Sequence, residues 1–168
     1  MIDSPHIPVL YREVVESFSN ISSGIIIDCT MGYGGHTALL LEANPNINII
    51  AIDQDDMAIE FSAKRLLTYG DRVKIMRGRF SQVIKEILAS SDKSLIRGVL
   101  ADIGVSSLQL DKRERGFSFE SDTLDMRMNQ NSSLSALDVV NGYSQLELER
   151  IFNNYGEIRN YKQLASFI

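Results

Sequence analysis

The chain has 168 residues, 44% of them hydrophobic and 23% charged, with a formal net charge of −5. That composition suits a soluble domain with a real core, and it argues against a nucleic-acid-binding surface spread over the whole molecule. The single cysteine, Cys29, excludes an internal disulfide. Met1 to Pro5 lack the basic-then-apolar pattern of a secretion signal, and no apolar run approaches a membrane span, so the expectation is a cytoplasmic protein without a membrane partner.

In chain order, Tyr11, Val14, Val15 and Phe18 have helical spacing and predict a helix over residues 10–19. Gly24–Asp28 is a short apolar run of the kind buried on both faces of a parallel sheet. A helix is expected from Gly35 through Ala38 to Leu41, closed near Pro45. Ile47–Ile52 read as a second buried strand. Ile59, Ala63, Leu66 and Leu67 form the apolar face of the next helix, with Gly70 as its stop. Val73–Met76 read as a third strand. Ser81 is a candidate cap for a helix whose apolar face is Val83, Ile84, Ile87 and Leu88. Val99–Ala101, running into Asp102, read as a fourth strand. Strands alternating with helices imply right-handed crossovers and a parallel α/β sheet.

After Asp102 the pattern changes. Residues 103–131 are rich in Ser, Asp, Arg and Gly and show no periodicity. Ser144-Gln-Leu-Glu147 is a capping-box signature, followed by Leu148, Ile151, Phe152 and Tyr155 at helical spacing. Gly156 breaks that helix, and Ile158, Tyr161, Ala165 and Ile168 resume the spacing.

The informative stretch is Asp28-Cys-Thr-Met-Gly-Tyr-Gly-Gly-His36, at a predicted strand-to-helix turn. Glycines there let a ligand approach the backbone, and the helix start offers free N–H groups. A purely structural tight turn competes with that reading. Three acids sharpen it. Asp28 precedes the glycines, where it would repel a pyrophosphate but suit the sulfonium and ammonium groups of S-adenosylmethionine. Asp53 closes the second strand, where nucleotide-binding folds place the acid that holds ribose hydroxyls. Asp102 closes the fourth, at the carboxyl edge where ligands of open α/β sheets bind. Each acid alone has a bland reading, Asp53 as a helix cap and Asp102 as a turn former, with Asp55 and Asp56 better placed to cap. His36 is a cap or a ligand contact, and Phe80 lies against an adenine or in the core. No Gly-Lys-Ser/Thr follows the loop, so a phosphate cradle is disfavoured. Two histidines and one cysteine argue against a zinc site.

Several stretches together carry a family resemblance: His6-Ile-Pro-Val-Leu10, Asp28–His36, Asp102-Ile-Gly-Val-Ser-Ser107, Gln109-Leu-Asp111, Arg115-Gly-Phe-Ser-Phe119, Leu124-Asp-Met-Arg-Met128 and Tyr155-Gly-Glu157 with Arg159. The chain resembles the bacterial 16S ribosomal RNA (cytosine-N4)-methyltransferases, the MraW or RsmH family, over essentially its whole length. Departures are mild: Cys29 stands where the family usually has glycine, Met31 for phenylalanine, Leu108 for proline and Ile158 for glutamate.

The resemblance implies a class I S-adenosylmethionine-dependent methyltransferase sheet of Rossmann-like type, here incomplete. It implies a cofactor half-domain over residues 1–104 and, over 105–168, the start of an inserted helical domain that helps hold RNA. It implies cofactor contacts at Gly34, Gly35, His36, Asp53, Phe80, Asp102 and Gln109, with Asp28 in support. The implied substrate is a cytosine of the ribosomal decoding region, and the implied partner is ribosomal RNA in the small subunit. Asp102 is the candidate acceptor for the N4 amine. Arg113 and Arg115 are candidate phosphate contacts, and Asp125 and Arg127 help close the site, Arg127 also as an RNA contact. Family members are longer, so the expected strands lie in the order third, second, first, fourth, with the fourth left as an apolar edge prone to self-association. Two other readings are a catalytically inactive cofactor-binding fragment and a nicotinamide-dependent oxidoreductase. Asp28 and the absence of a Gly-x-Gly-x-x-Gly spacing disfavour the second of these.

Overall fold

Four apolar runs build the first half of the fold. In the computed structural model, which describes residues 7–168 apart from the Leu108 side chain, they form parallel strands β1 (Gly24–Asp28), β2 (Ile47–Asp53), β3 (Val73–Arg77) and β4 (Ile96–Leu100). The strand order is β3-β2-β1-β4, as the family resemblance implies. His6, the first residue of the family-like N-terminal stretch, lies outside the described residues.

The central strands need apolar side chains on both faces, and Ile26, Ile27, Ile49, Ile50, Ala51 and Ile52 are all buried. Helices α1 (Tyr11–Ser17), α2 (Gly35–Ala43) and α3 (Asp56–Leu66) supply the cover on one face. There Leu40, Leu41, Leu66, Val14 and Phe18 pack with Ile26 and Ile49. Helix α4 (Phe80–Ser90) covers the other, where Val83 and Ile87 pack with Ile27, Ile50 and Ile52. The Phe18 ring occupies the place a side chain at Gly98 would take, with Cε1 only 2.5 Å from an ideal Cβ.

Three sequence expectations shift. Strand β4 starts at Ile96 and ends at Leu100, upstream of the Val99–Ala101 run, and alternates half-buried with exposed residues. One covered face, not two, explains why Val99 is 56% exposed. Helix α3 ends at Leu66, which reaches the core, and Leu67 is left 78% exposed in a 3-10 turn. Helix α4 starts at Phe80 with Arg79 at its N-cap, so Ser81 lies inside the helix and does not cap it.

The chain divides into two compact units, Met1–Ser106 and Ser107–Ile168. The second holds α5 (Ser107–Asp111), a 3-10 turn at Arg113–Arg115, α6 (Ala136–Gly142), α7 (Gln145–Asn154) and α8 (Tyr161–Phe167). The Ser144/Glu147 capping box forms as expected. Helix α6 was not foreseen. Its own capping box uses Ser135 and Asp138, with aspartate in place of the usual glutamate or glutamine. Among the described residues no helix is long and apolar enough to cross a membrane.

Candidate functional site

The glycine-rich turn joins β1 to α2 in the first unit. Gly32 and Gly34 adopt φ of 51° and 71°, which residues with side chains rarely do. A Cβ built on Gly32 meets nothing nearer than the Thr30 carbonyl at 4.0 Å, so one side of the turn is open to a ligand. A tight bend is closed by Gly34 N–H to the Met31 carbonyl at 2.8 Å. The turn is then tied down from α3, where Ser62 donates to the Gly32 carbonyl at 2.6 Å and Arg65 to the Tyr33 carbonyl at 3.1 Å. Tyr33 also packs edge-to-face on Phe61, centroids 4.6 Å apart.

All three strand-end acids attach to this one turn. Asp28 accepts the Thr30 N–H at 3.1 Å and the Thr37 hydroxyl at 2.7 Å. It is 1% exposed, and burial pushes its carboxyl above the ordinary value of 3.8, against the lowering pull of those hydrogen bonds. With both oxygens engaged, Asp28 braces the turn against α2. Asp53 accepts the Gly32 N–H at 2.7 Å and the Asp55 N–H at 2.9 Å. Burial raises its carboxyl too, and backbone hydrogen bonds oppose the rise. The helix-cap alternative for Asp53 falls away, because Asp55 caps α3 through the Met57 N–H. Asp102 is exposed and lies two residues past the end of β4. Its own N–H donates to the Thr30 hydroxyl at 2.7 Å, which fixes the backbone at that point.

His36 sits in the first turn of α2, after Gly34 at the N-cap, and its Nε2 contacts the Val9 carbonyl at 2.8 Å. Gly35 is packed under Pro8. Phe80 opens α4 and is 37% exposed, which a core residue would not be. The first unit thus brings together the turn, Asp53, Asp102 and the start of α2. The set offers carboxylates and backbone groups at the carboxyl edge of the sheet, and suits a ligand with hydroxyls and positive charge. Among the described residues no group of histidine, cysteine and acid side chains could hold a metal ion.

The remaining candidates lie in the second unit. Gln109 is buried in α5. Arg113 is solvent-exposed, paired at 2.9 Å with the exposed Glu120. Arg115 is 1% exposed, and its Nη2 donates to the carbonyls of Arg127 (3.0 Å) and Met128 (3.2 Å). That corrects its reading as a phosphate contact: the guanidinium is spent holding backbone in place. Gly116, at φ 78°, lets the chain pass so close that an added Cβ would lie 2.6 Å from the Asp125 nitrogen. The Met126 N–H returns to the Arg115 carbonyl at 2.9 Å, and Met126 itself has φ 57°. Arg127 grips Asp125 at 2.6 Å and the Ser132 carbonyl at 2.8 Å, and holds the Asp125 carboxyl below its ordinary value. The family-like stretches around Arg115 and Asp125 therefore form one knot.

Sequence reasoning missed Thr30, Thr37, Ser62, Arg65 and the role of Pro8 and Val9. The Asp28-x-Thr30 spacing carried a signal, since an aspartate readily accepts the N–H two residues on. Ser62 and Arg65 carried none, because their partners lie about thirty residues away.

A profile of the MraW methylase family matches residues 3–168. The chain belongs to the MraW methylase family. The ribosomal RNA small subunit methyltransferase H of Sulfurimonas denitrificans is 68% identical over 164 residues, covering 98% of this chain and 53% of that protein. The one from Aliarcobacter butzleri is 60% identical over 167 residues, covering 99% and 54%. This MraW-family chain thus spans about half the length of the curated relatives it matches. Among solved structures, the C-terminal domain of precorrin-6Y C5,15-methyltransferase from Rhodobacter capsulatus aligns with a TM-score of 0.48 at 19% identity, over 69% of this chain and 60% of that one.

Proposed function

We propose that this chain supplies the S-adenosylmethionine-binding part of an enzyme that methylates the N4 amine of a cytosine in the decoding region of small-subunit ribosomal RNA, in the cytoplasm. The observation that carries the reading is the tethering of Asp28, Asp53 and Asp102 to one open glycine-rich turn. The family, and relatives whose names specify small-subunit ribosomal RNA, supply the reaction class and the substrate.

When bound, S-adenosylmethionine supplies a methyl group on an electrophilic sulfonium. Gly34, Gly35 and His36 line the helix start beside the turn. Asp53 is the acceptor for ribose hydroxyls. Phe80 offers a partly exposed ring for a flat heterocycle, and Gln109 is assigned by resemblance. A cytosine N4 amine is a weak nucleophile, so alignment supplies much of the rate. Asp102, exposed on an anchored backbone, is assigned as the carboxylate that accepts from the amine as positive charge develops there. The target base must be unpaired or extruded to be reached. Residues 105–168 are assigned to the start of an RNA-holding helical domain, with the exposed Arg113 as a phosphate contact.

The test is a calorimetric titration of S-adenosylmethionine into the folded chain, with Asp53→Ala as control. Saturable binding that the substitution weakens by at least roughly tenfold, about 1.4 kcal/mol, supports the reading. A folded chain that does not bind overturns it. Transfer of a labelled methyl from S-adenosylmethionine to small subunits by a full-length relative, followed by nucleoside mass spectrometry, tests the product. Label in any nucleoside other than N4-methylcytidine rejects the assignment.

A further inference from the structure

The segment Ile7–Leu10 lies across the turn and has no place in the reading above. It is not held by burying its apolar side chains: Ile7, Val9 and Leu10 are 80%, 58% and 63% exposed. Two other contacts fix it. Pro8 sits directly on Gly35, its Cγ where a side chain at Gly35 would have to go. The Val9 carbonyl meets His36 Nε2 at 2.8 Å. A third observation is backbone strain. Leu10 has φ 49°, a left-handed conformation that a bulky side chain adopts only when its surroundings impose it. Leu10 also opens α1, its carbonyl accepting the Val14 N–H at 2.8 Å.

A carbonyl oxygen can only accept, so Nε2 must carry the proton in this contact. In the neutral form of the ring this is the Nε2–H tautomer, with Nδ1 left as its acceptor. We propose that Ile7–Leu10 is a positioning strap for the cofactor site: Pro8 closes over Gly35, and the Val9 carbonyl sets the tautomer and orientation in which His36 serves S-adenosylmethionine. Pro8 and Val9 act through His36 and Gly35 and are positioning residues. The room that the missing side chain leaves at Gly35 is taken by Pro8. The proposal rests on the cofactor reading above.

The chain has two histidines, so His6→Gln leaves His36 as the only ring signal. In that background, nitrogen NMR of labelled histidine should show a protonated Nε2 and an unprotonated Nδ1. Pro8→Gly should release the strap, turn the signal into a mixture of tautomers and weaken S-adenosylmethionine binding by roughly tenfold, the worth of about one hydrogen bond. Gly35→Ala should displace Pro8 and give the same tautomer mixture, and in the Pro8→Gly background it should shift the ring signal no further. An Nδ1–H ring in the parent overturns the proposal. So does a folded Pro8→Gly chain with unchanged affinity or an unchanged tautomer. A parent that shows the expected tautomer but binds no cofactor defeats the function reading, and this proposal with it. A parent that binds as well as its strap variant defeats the strap alone.

Discussion

Thr37, in the first turns of α2, donates its hydroxyl to the Asp28 carboxylate at the end of β1 at 2.7 Å, and both side chains are at most 1% exposed. This bond links the strand to the helix beneath the glycine-rich turn. Thr37→Val keeps the shape and deletes the donor, leaving a buried carboxylate oxygen short of a partner. The expected loss is about 1–3 kcal/mol, read from urea unfolding, and a loss under a few tenths would show that the bond does not brace the turn.

The same carboxylate sets a pH dependence. Burial raises Asp28 in the folded chain above its ordinary 3.8, so between 3.8 and the raised value the native state holds the proton that the unfolded state has lost. This contribution to stability is therefore greatest below 3.8 and declines as pH rises through that window. Asp53, raised by burial as well, acts in the same direction. Asp28→Asn removes one of the two groups. The stability of the variant relative to the parent should climb as pH rises from about 4, and a flat difference across mildly acidic urea melts would contradict the assignment.

Arg113 and Arg115 lie two residues apart and should respond in opposite ways. Arg115→Met removes the donors to the Arg127 and Met128 carbonyls and should cost about 2–4 kcal/mol. Arg113→Ala breaks only an exposed pair and should change stability by less than about 0.5 kcal/mol. In a full-length relative that substitution should lower the salt slope of RNA binding by about one. An unchanged slope would remove Arg113 from the interface.

Gly116→Ala probes the knot of the second unit. Its added Cβ would meet the backbone nitrogens of Asp125 and Met126 at 2.6 and 3.0 Å, and φ is 78°. Backbone cannot step aside as a side-chain tip can. A cost of about 2 kcal/mol or more is expected, with faster amide exchange at Met126. Normal stability would mean that the two segments do not pass this closely.

Among the described residues of the first unit β4 pairs with β1 alone, and Val99 stands 56% exposed beside its other edge. We expect the chain to self-associate through this edge, with Val99→Lys reducing the effect. Light scattering that finds a monomer at all concentrations for the parent would end the idea.

The sheet was legible because β1 and β2 are isoleucine-rich runs, broken only by the exposed Asn48 near the start of β2, and a glycine-rich turn then marks the carboxyl edge. Strand β4 was harder to delimit, because its uncovered face admits Arg97 and, on the covered face, the Phe18 ring leaves room only for glycine at position 98. The acids were legible as a group but not in their division of labour. Beyond the Asp28-x-Thr30 spacing, little in the sequence separates Asp28, sealed by Thr30 and Thr37, from Asp102, which is tied through its backbone N–H. Arg115 was misread for a related reason. A basic residue in a polar stretch looks solvated until the carbonyls it serves, twelve and thirteen residues on, fold back over it.

Ser62, Arg65 and Asp53 hold the glycine-rich turn by both its carbonyl and its amide sides. Glycines would otherwise give this segment the greatest conformational entropy in the chain. With the turn already anchored, a ligand arriving there finds little freedom left to freeze, so more of its contact energy remains as affinity.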